Sequence, residues 1–97
     1  MEQLIKDAIA TKKIIQFSYG GHCRVIEPHI LGVSKGVVQV LGYQLDGSSA
    51  SGAVPDWRRF DLSRISALQI TAQTFPGPRP FPSGKHSSWD YEITIVT

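Results

Sequence analysis

Ile14-Ile15-Gln16-Phe17-Ser18-Tyr19-Gly20-Gly21-His22-Cys23-Arg24-Val25-Ile26-Glu27 decides the fold. Ile15, Phe17 and Tyr19 alternate with Gln16 and Ser18, the period of two that belongs to a strand, and β-branched and aromatic side chains suit one. Gly20-Gly21 then offers two successive positions that tolerate positive φ, as a two-residue primed turn requires. The chain therefore returns as an antiparallel strand, His22 to Glu27. Cys23, Val25 and Glu27 share one face, and His22, Arg24 and Ile26 the other. Pro28 has no N–H to give to a ladder and is expected to end the strand.

Upstream of this hairpin, Gln3 to Lys13 reads as a helix (3-13), with Leu4, Ile5, Ala8 and Ile9 forming one apolar stripe. It is short and lacks a strong N-cap, so packing must hold it. Downstream, Ile30-Leu31 within His29 to Gly32 forms another short strand, closed by a Ser34-Lys35-Gly36 turn. Val37 to Leu45 is apolar on both faces, the pattern of a central strand covered on two sides. Gly42 within it marks a bulge or sharp bend. Asp46 to Asp56 has the composition of a flexible loop, longer than a hairpin needs.

Trp57 to Leu62 is the next strand, followed by a tight turn at Ser63-Arg64 and a strand from Ile65 to Thr71. Phe75 to Ser88 is a Pro-rich loop (75-88) carrying Arg79 and Lys85. A last strand, Trp89 to Val96 (89-96), places Tyr91, Ile93 and Ile95 on one face. One helix and five to six short strands, with turns every 6–12 residues, predict a mainly β chain: a small β-barrel over 14-71 in a single domain, 1-97.

Composition narrows the function. A formal charge of +2 over 97 residues is too small for a non-specific DNA coater, though it permits a local basic patch. The single cysteine, Cys23, excludes an internal disulfide and a cysteine-pair zinc site, and reads as a small half-buried residue beside the hairpin turn. His22, His29 and His86 are too scattered to suggest a metal. No Gly-rich phosphate loop is present, and no cofactor is expected. No apolar run approaches the ~20 residues of a membrane span, and Met1-Glu2-Gln3 does not begin a signal peptide. A cytoplasmic location without membrane or metal partners is the expectation.

Charge and aromatic surface concentrate in one place: Trp57-Arg58-Arg59-Phe60-Asp61-Leu62-Ser63-Arg64-Ile65. With the helix leading into Ile14-Ile15-Gln16-Phe17-Ser18-Tyr19, with Arg24 and Glu27-Pro28-His29, and with Gly36 opening a strand that ends at Tyr43, these blocks resemble a WYL domain. That family is a bacterial sensor module with an Sm-like or SH3-like β-barrel, and the likeness runs from about Ile5 to Ile70. Two differences stand out. The positions matching the eponymous Trp-Tyr-Leu triplet are Val38-Gln39-Val40, and the helix-turn-helix of many such regulators does not occur in these 97 residues, so the resemblance is to a stand-alone WYL-like domain. The resemblance implies sensing of nucleic acid or a nucleotide-type ligand through a basic face, in transcription regulation, phage defence or CRISPR control, without enzymatic activity.

The candidate site residues follow from both readings. Arg58, Arg59 and Arg64 match the family's basic positions. By alternation Arg58 shares a face with Phe60 and Leu62, so its guanidinium either joins a structural ion pair, with Glu27 or Asp61, or lines a pocket as a fork for phosphate or carboxylate. Arg59 beside Trp57 either stacks a base or lies on a solvated edge while Trp57 covers the core. Arg24, Glu27 and His29 form a second polar group, in which His29 is a ligand donor or a satisfied histidine at a strand end. Tyr43 either flanks a pocket or packs in the core, and Arg79 folds back over the ligand face or stays in its loop. No nucleophile–base–orienter set can be assembled, so no catalytic residue is expected. The competing expectation is a protein–protein module or homodimer anchored by Trp57 and Arg59.

Overall fold

The computed structural model describes residues 1–47, 56–80 and 89–97. The 48–55 part of the expected loop, and Lys85 and His86 within 81–88, lie outside the described residues. The chain runs α1 (Glu2–Ala10), β1 (Lys13–Tyr19), β2 (His22–Ser34), β3 (Val37–Gly47), β4 (Asp56–Asp61), a 3-10 turn at Leu62–Arg64, β5 (Ser66–Thr74) and β6 (Tyr91–Ile95). Among the described residues the class is the expected one, mainly β with one N-terminal helix and six strands. Their pairings are all antiparallel, in the order β4-β3-β2-β1-β5 with β6 added to β2, and the sheet is not closed as the barrel expected over 14-71 would be.

The hairpin forms as its residues dictate. Gly20 and Gly21 take φ of 60° and 80°, and Tyr19 pairs with His22 across them. Arg24 and Ile26 occupy the buried face, while Cys23 is exposed rather than half-buried.

Pro28 does not end the strand. β2 continues to Ser34, because Pro28 stands opposite Gly42 where the ladder slips: Pro28 pairs with Gly42 but Ile30 with Leu41, leaving His29 as an extra residue. A bulge is where a missing N–H costs least and where a strand bends. The bend hands β2 from one neighbour to another. Its first part pairs with β1 and its second with β6, while β3 runs along both.

The bulge expected at Gly42 therefore has its extra residue on the opposite strand, and Gly42 is needed for the close approach. A Cβ there would lie 2.5 Å from Ile26 Cδ1 and 3.1 Å from the Glu27 carbonyl. Gly32 does the same for β6, since its Cβ would meet the Trp89 ring at 2.7 Å and the Tyr91 carbonyl at 2.8 Å.

The main core gathers Ile5, Ala8 and Ile9 of α1 with Ile15, Phe17, Ile26, Leu31, Val40, Phe60 and Val96. A second, smaller cluster of Ile30, Leu41 and Trp57, with Tyr43 and Trp89 against it, covers the other face of β3 and β4. Alternation explains the division: Val40 and Phe60 point one way, Leu41 and Trp57 the other. β3 is buried on both faces as its sequence implies.

Three local expectations are corrected. Leu4 is 51% exposed, because the buried stripe centres on Ile5, Ala8 and Ile9 and leaves Leu4 at its flank. The helix stops at Ala10, since Lys12 takes φ +55° and Lys13 already opens β1. Tyr91, Ile93 and Ile95 do not share a buried face. β6 carries a bulge, Leu31 pairing with Thr94 and Gly32 with Glu92, so Ile93 packs on the core while Tyr91 and Ile95 are exposed. No helix among the described residues is long and apolar enough to cross a membrane.

Candidate functional site

β4 is held against β3 with Trp57 opposite Tyr43, Arg58 opposite Gly42, Arg59 opposite Leu41 and Phe60 opposite Val40. In the sheet order β4 is three places from β1, yet their rings touch. Phe60 packs edge-on to Phe17 and to Tyr19, both at 5.0 Å between centroids, and the Asp61 N–H donates to the Tyr19 hydroxyl at 3.1 Å. Such contact requires the sheet to curl, and the bend in β2 supplies it.

The curl brings the start of β2 to the inner face of β4. Arg24, Arg58 and Arg59 then line one hollow of about 440 Å³ with Tyr19, Leu41, Trp57 and Phe60. The volume lies in the range of small-ligand sites, about 300–1,000 Å³. Among the described residues, three guanidinium-bearing side chains line it and no carboxylate does.

Arg24 is the unusual member. It is 8% exposed, and among the described residues no carboxylate pairs with it. Its hydrogen bonds are long, Nη1 to Gln44 Oε1 at 3.4 Å and Nη2 to the Tyr19 carbonyl at 3.3 Å, beyond the ~2.7–3.2 Å of ordinary N–H···O bonds. Its Nε is buried and makes none. The Tyr19 and Phe60 rings lie 5.8 Å from its Cζ, which offsets part of the desolvation. Burial, and then the neighbouring positive charge of Arg58, pull its pKa below the ordinary value.

The other arginines differ. Arg59 lies over the Trp89 ring at 3.9 Å, with Nη1 3.5 Å from Gln39 Oε1, and burial lowers its pKa. Its ring partner is Trp89. Arg64 is exposed in the 3-10 turn with its Cζ 5.0 Å from the Tyr19 ring centroid, beside the hollow rather than in its lining. Asp61, once a candidate partner for Arg58, accepts from Gln39 Nε2 at 2.7 Å.

Glu27, the second candidate, belongs to Arg79. Arg79 Nε is 2.6 Å from Glu27 Oε1 and Nη2 is 3.0 Å from Oε2, a two-point fork on a carboxylate that is 4% exposed. That hydrogen bond raises the Arg79 pKa. The guanidinium also covers the Tyr43 ring at 4.4 Å.

His29 completes this second group. It is fully buried, stacked on Phe75 at 5.3 Å and edge-on to Trp57 at 4.7 Å. Nδ1 sits 2.8 Å from the Glu27 carbonyl and Nε2 3.3 Å from the Arg79 N–H. The carbonyl needs a donor and the N–H an acceptor, so the ring is neutral with its proton on Nδ1. Burial lowers its pKa in the same sense. Both nitrogens bind the chain's own backbone, which makes His29 a fastener for the segment around Arg79.

The eight sequence candidates thus divide between the two faces of β3 and β4. Arg24, Arg58, Arg59 and Trp57 line the hollow. His29, Tyr43 and Arg79 gather around Glu27, with Trp57 between the groups, and Arg64 stands apart. Tyr19 and Phe60 are not among the sequence candidates. Tyr19's place, in line with Ile15 and Phe17 and next to the hairpin glycines, was the available signal. Among the described residues no group of three His, Cys, Asp or Glu could hold a metal.

Comparison with protein-family models, with curated proteins and with solved structures returned no match.

Proposed function

We propose that this chain is a non-enzymatic regulatory module that senses a nucleotide-type anion or single-stranded nucleic acid at the arginine-lined hollow. The observation that carries the reading is Arg24. A buried guanidinium with no carboxylate partner among the described residues, with long hydrogen bonds and an idle Nε, is a costly arrangement unless an anion completes it. Arg58 in the same lining adds a second positive group, and Tyr19 and Phe60 bring aromatic surface suited to nucleotides.

The WYL-like reading belongs to the same proposal. Its Sm-like or SH3-like barrel is supported by the bent β2 and by the Phe17–Phe60 contact that draws β1 toward β4. A role in bacterial transcription control or phage defence rests on the sequence resemblance.

Fluorescence anisotropy with single-stranded RNA and DNA at two salt concentrations tests the function. Binding that weakens as salt rises, and that Arg58→Ala reduces, is expected. No binding at low salt would sink it.

A self-association reading has one observation in its favour. Among the described residues β6 pairs with β2 alone, and Tyr91 is 61% and Ile95 46% exposed; a strand at a sheet edge can pair with a second copy. Sedimentation over a range of protein concentrations decides it: a dimer supports the reading, and a monomer throughout removes it.

A further inference from the structure

Resting on the proposed anion site, the distribution of charge within the hollow identifies what kind of phosphate it takes. A surface that tracks the backbone of a nucleic-acid strand spreads its cations along a groove, one for each phosphodiester. Here Arg24, Arg58 and Arg59 line the same hollow, and Arg24 is buried. A phosphodiester carries a single negative charge. A phosphomonoester above its second pKa of about 6 carries nearly two, with three strong acceptor oxygens.

Geometry points the same way. The hollow's volume, about 440 Å³, falls in the range of small-molecule sites. Arg24 has a buried Nε–H without a partner and Nη groups held only by long bonds, and a guanidinium whose hydrogen-bonding capacity is unfilled can grip two oxygens of one phosphate with a two-donor fork. Tyr19 and Phe60 lie on either side in sequence of this charge, one from β1 and one from β4, giving the attached nucleoside apolar walls.

We infer that the hollow takes a terminal phosphate, the phosphomonoester of a nucleotide or of an oligonucleotide end, in preference to the internal phosphodiesters of a strand. The module would then read chain ends or free nucleotides rather than strand length.

The test uses the full chain and one labelled single-stranded 12-mer in three forms: 5′-phosphorylated, 3′-phosphorylated and unphosphorylated. The dye sits at the end opposite the phosphate. At pH 7.5 a phosphorylated form is expected to bind about tenfold more tightly than the unphosphorylated one, the gain of one charge-assisted fork. Adenosine monophosphate should compete where adenosine does not, separating a free nucleotide from a strand end as the source. The advantage should shrink at pH 5, where the monoester loses its second charge.

Arg24→Lys keeps the charge but not the fork and should erase most of the advantage, as should Arg58→Gln if Arg24→Lys does not fold. Equal affinity for all three forms would overturn this inference while leaving the anion-site reading intact. No binding by any form would overturn both.

Discussion

Arg79 grips Glu27 across 52 positions of sequence with two hydrogen bonds, 2.6 Å from Nε to Oε1 and 3.0 Å from Nη2 to Oε2. The carboxylate is buried on the bent strand and the guanidinium is 41% exposed, so this pair pins the described part of the Pro-rich segment over the bulge. Removing the arginine leaves a buried carboxylate alone. Breaking a fully buried pair costs about 3–5 kcal/mol, and exposure of the Arg79 side reduces that to about 2 kcal/mol. Urea denaturation of Arg79→Ala should show this loss. Glu27→Gln with Arg79→Gln should lose less than the two single changes summed.

His29 makes stability depend on pH. Its folded pKa lies below the ordinary imidazole value because of burial, so the unfolded chain binds the proton more readily. Stability from the neutral ring is fully present above about pH 6.5 and is lost as the pH falls from there toward the folded pKa. Urea midpoints at pH 7.5 and 5.0 should fall with acidification in the parent. His29→Gln should be less stable at pH 7.5 and show a smaller drop. An equal drop in both would show that another group carries the acid sensitivity.

Gly42 tolerates no side chain. Its Cβ would meet Ile26 and the Glu27 carbonyl, and only the methyl end of Ile26 can retreat. Gly42→Ala should cost about 1–3 kcal/mol, the range for overpacking, read as a lower thermal midpoint. Gly36→Ala, which meets nothing but requires φ +76°, provides the comparison for backbone strain without a clash.

What the sequence made legible follows from how far each feature reaches along the chain. The turn at Gly20-Gly21, the helix stripe apart from its Leu4 member, and the two-sided burial of Val40 and Leu41 are local patterns that appear in the structure. Pro28 misled because its missing N–H argues against a strand only in a regular ladder, and a bulge at His29 removed that premise. Ile93 is a second bulge, where one extra residue reversed the faces that strict alternation assigns. The meeting of Arg24 with Arg58, and of Glu27 with Arg79, depends on register across several strands and on the curl of the sheet. No pattern within a window of residues encodes those distances.

The arginines near the hollow should not weigh equally in binding. Arg58 lines it, whereas Arg64 is exposed beside the Tyr19 ring. Arg58→Ala should weaken binding of a single-stranded oligonucleotide by about tenfold or more, as expected for a lost charge-assisted bond. Arg64→Ala should do so by about threefold or less, since a solvated charge acts mainly through its screened field. Anisotropy titrations at fixed salt give the ranking, and the reverse order would move the site to the outer side of Tyr19.

The central claim is that Arg24 awaits an anion, and the Arg24 Nε–Hε resonance reports on it directly. In ¹⁵N-labelled protein, assigned by its loss in Arg24→Lys, this proton should move downfield on titration with adenosine monophosphate as its missing hydrogen bond forms. The shift should saturate with the same apparent affinity as backbone amides of β4. A nucleotide that saturates those amides while Arg24 Nε–Hε stays unmoved, or one that perturbs neither, would contradict the account.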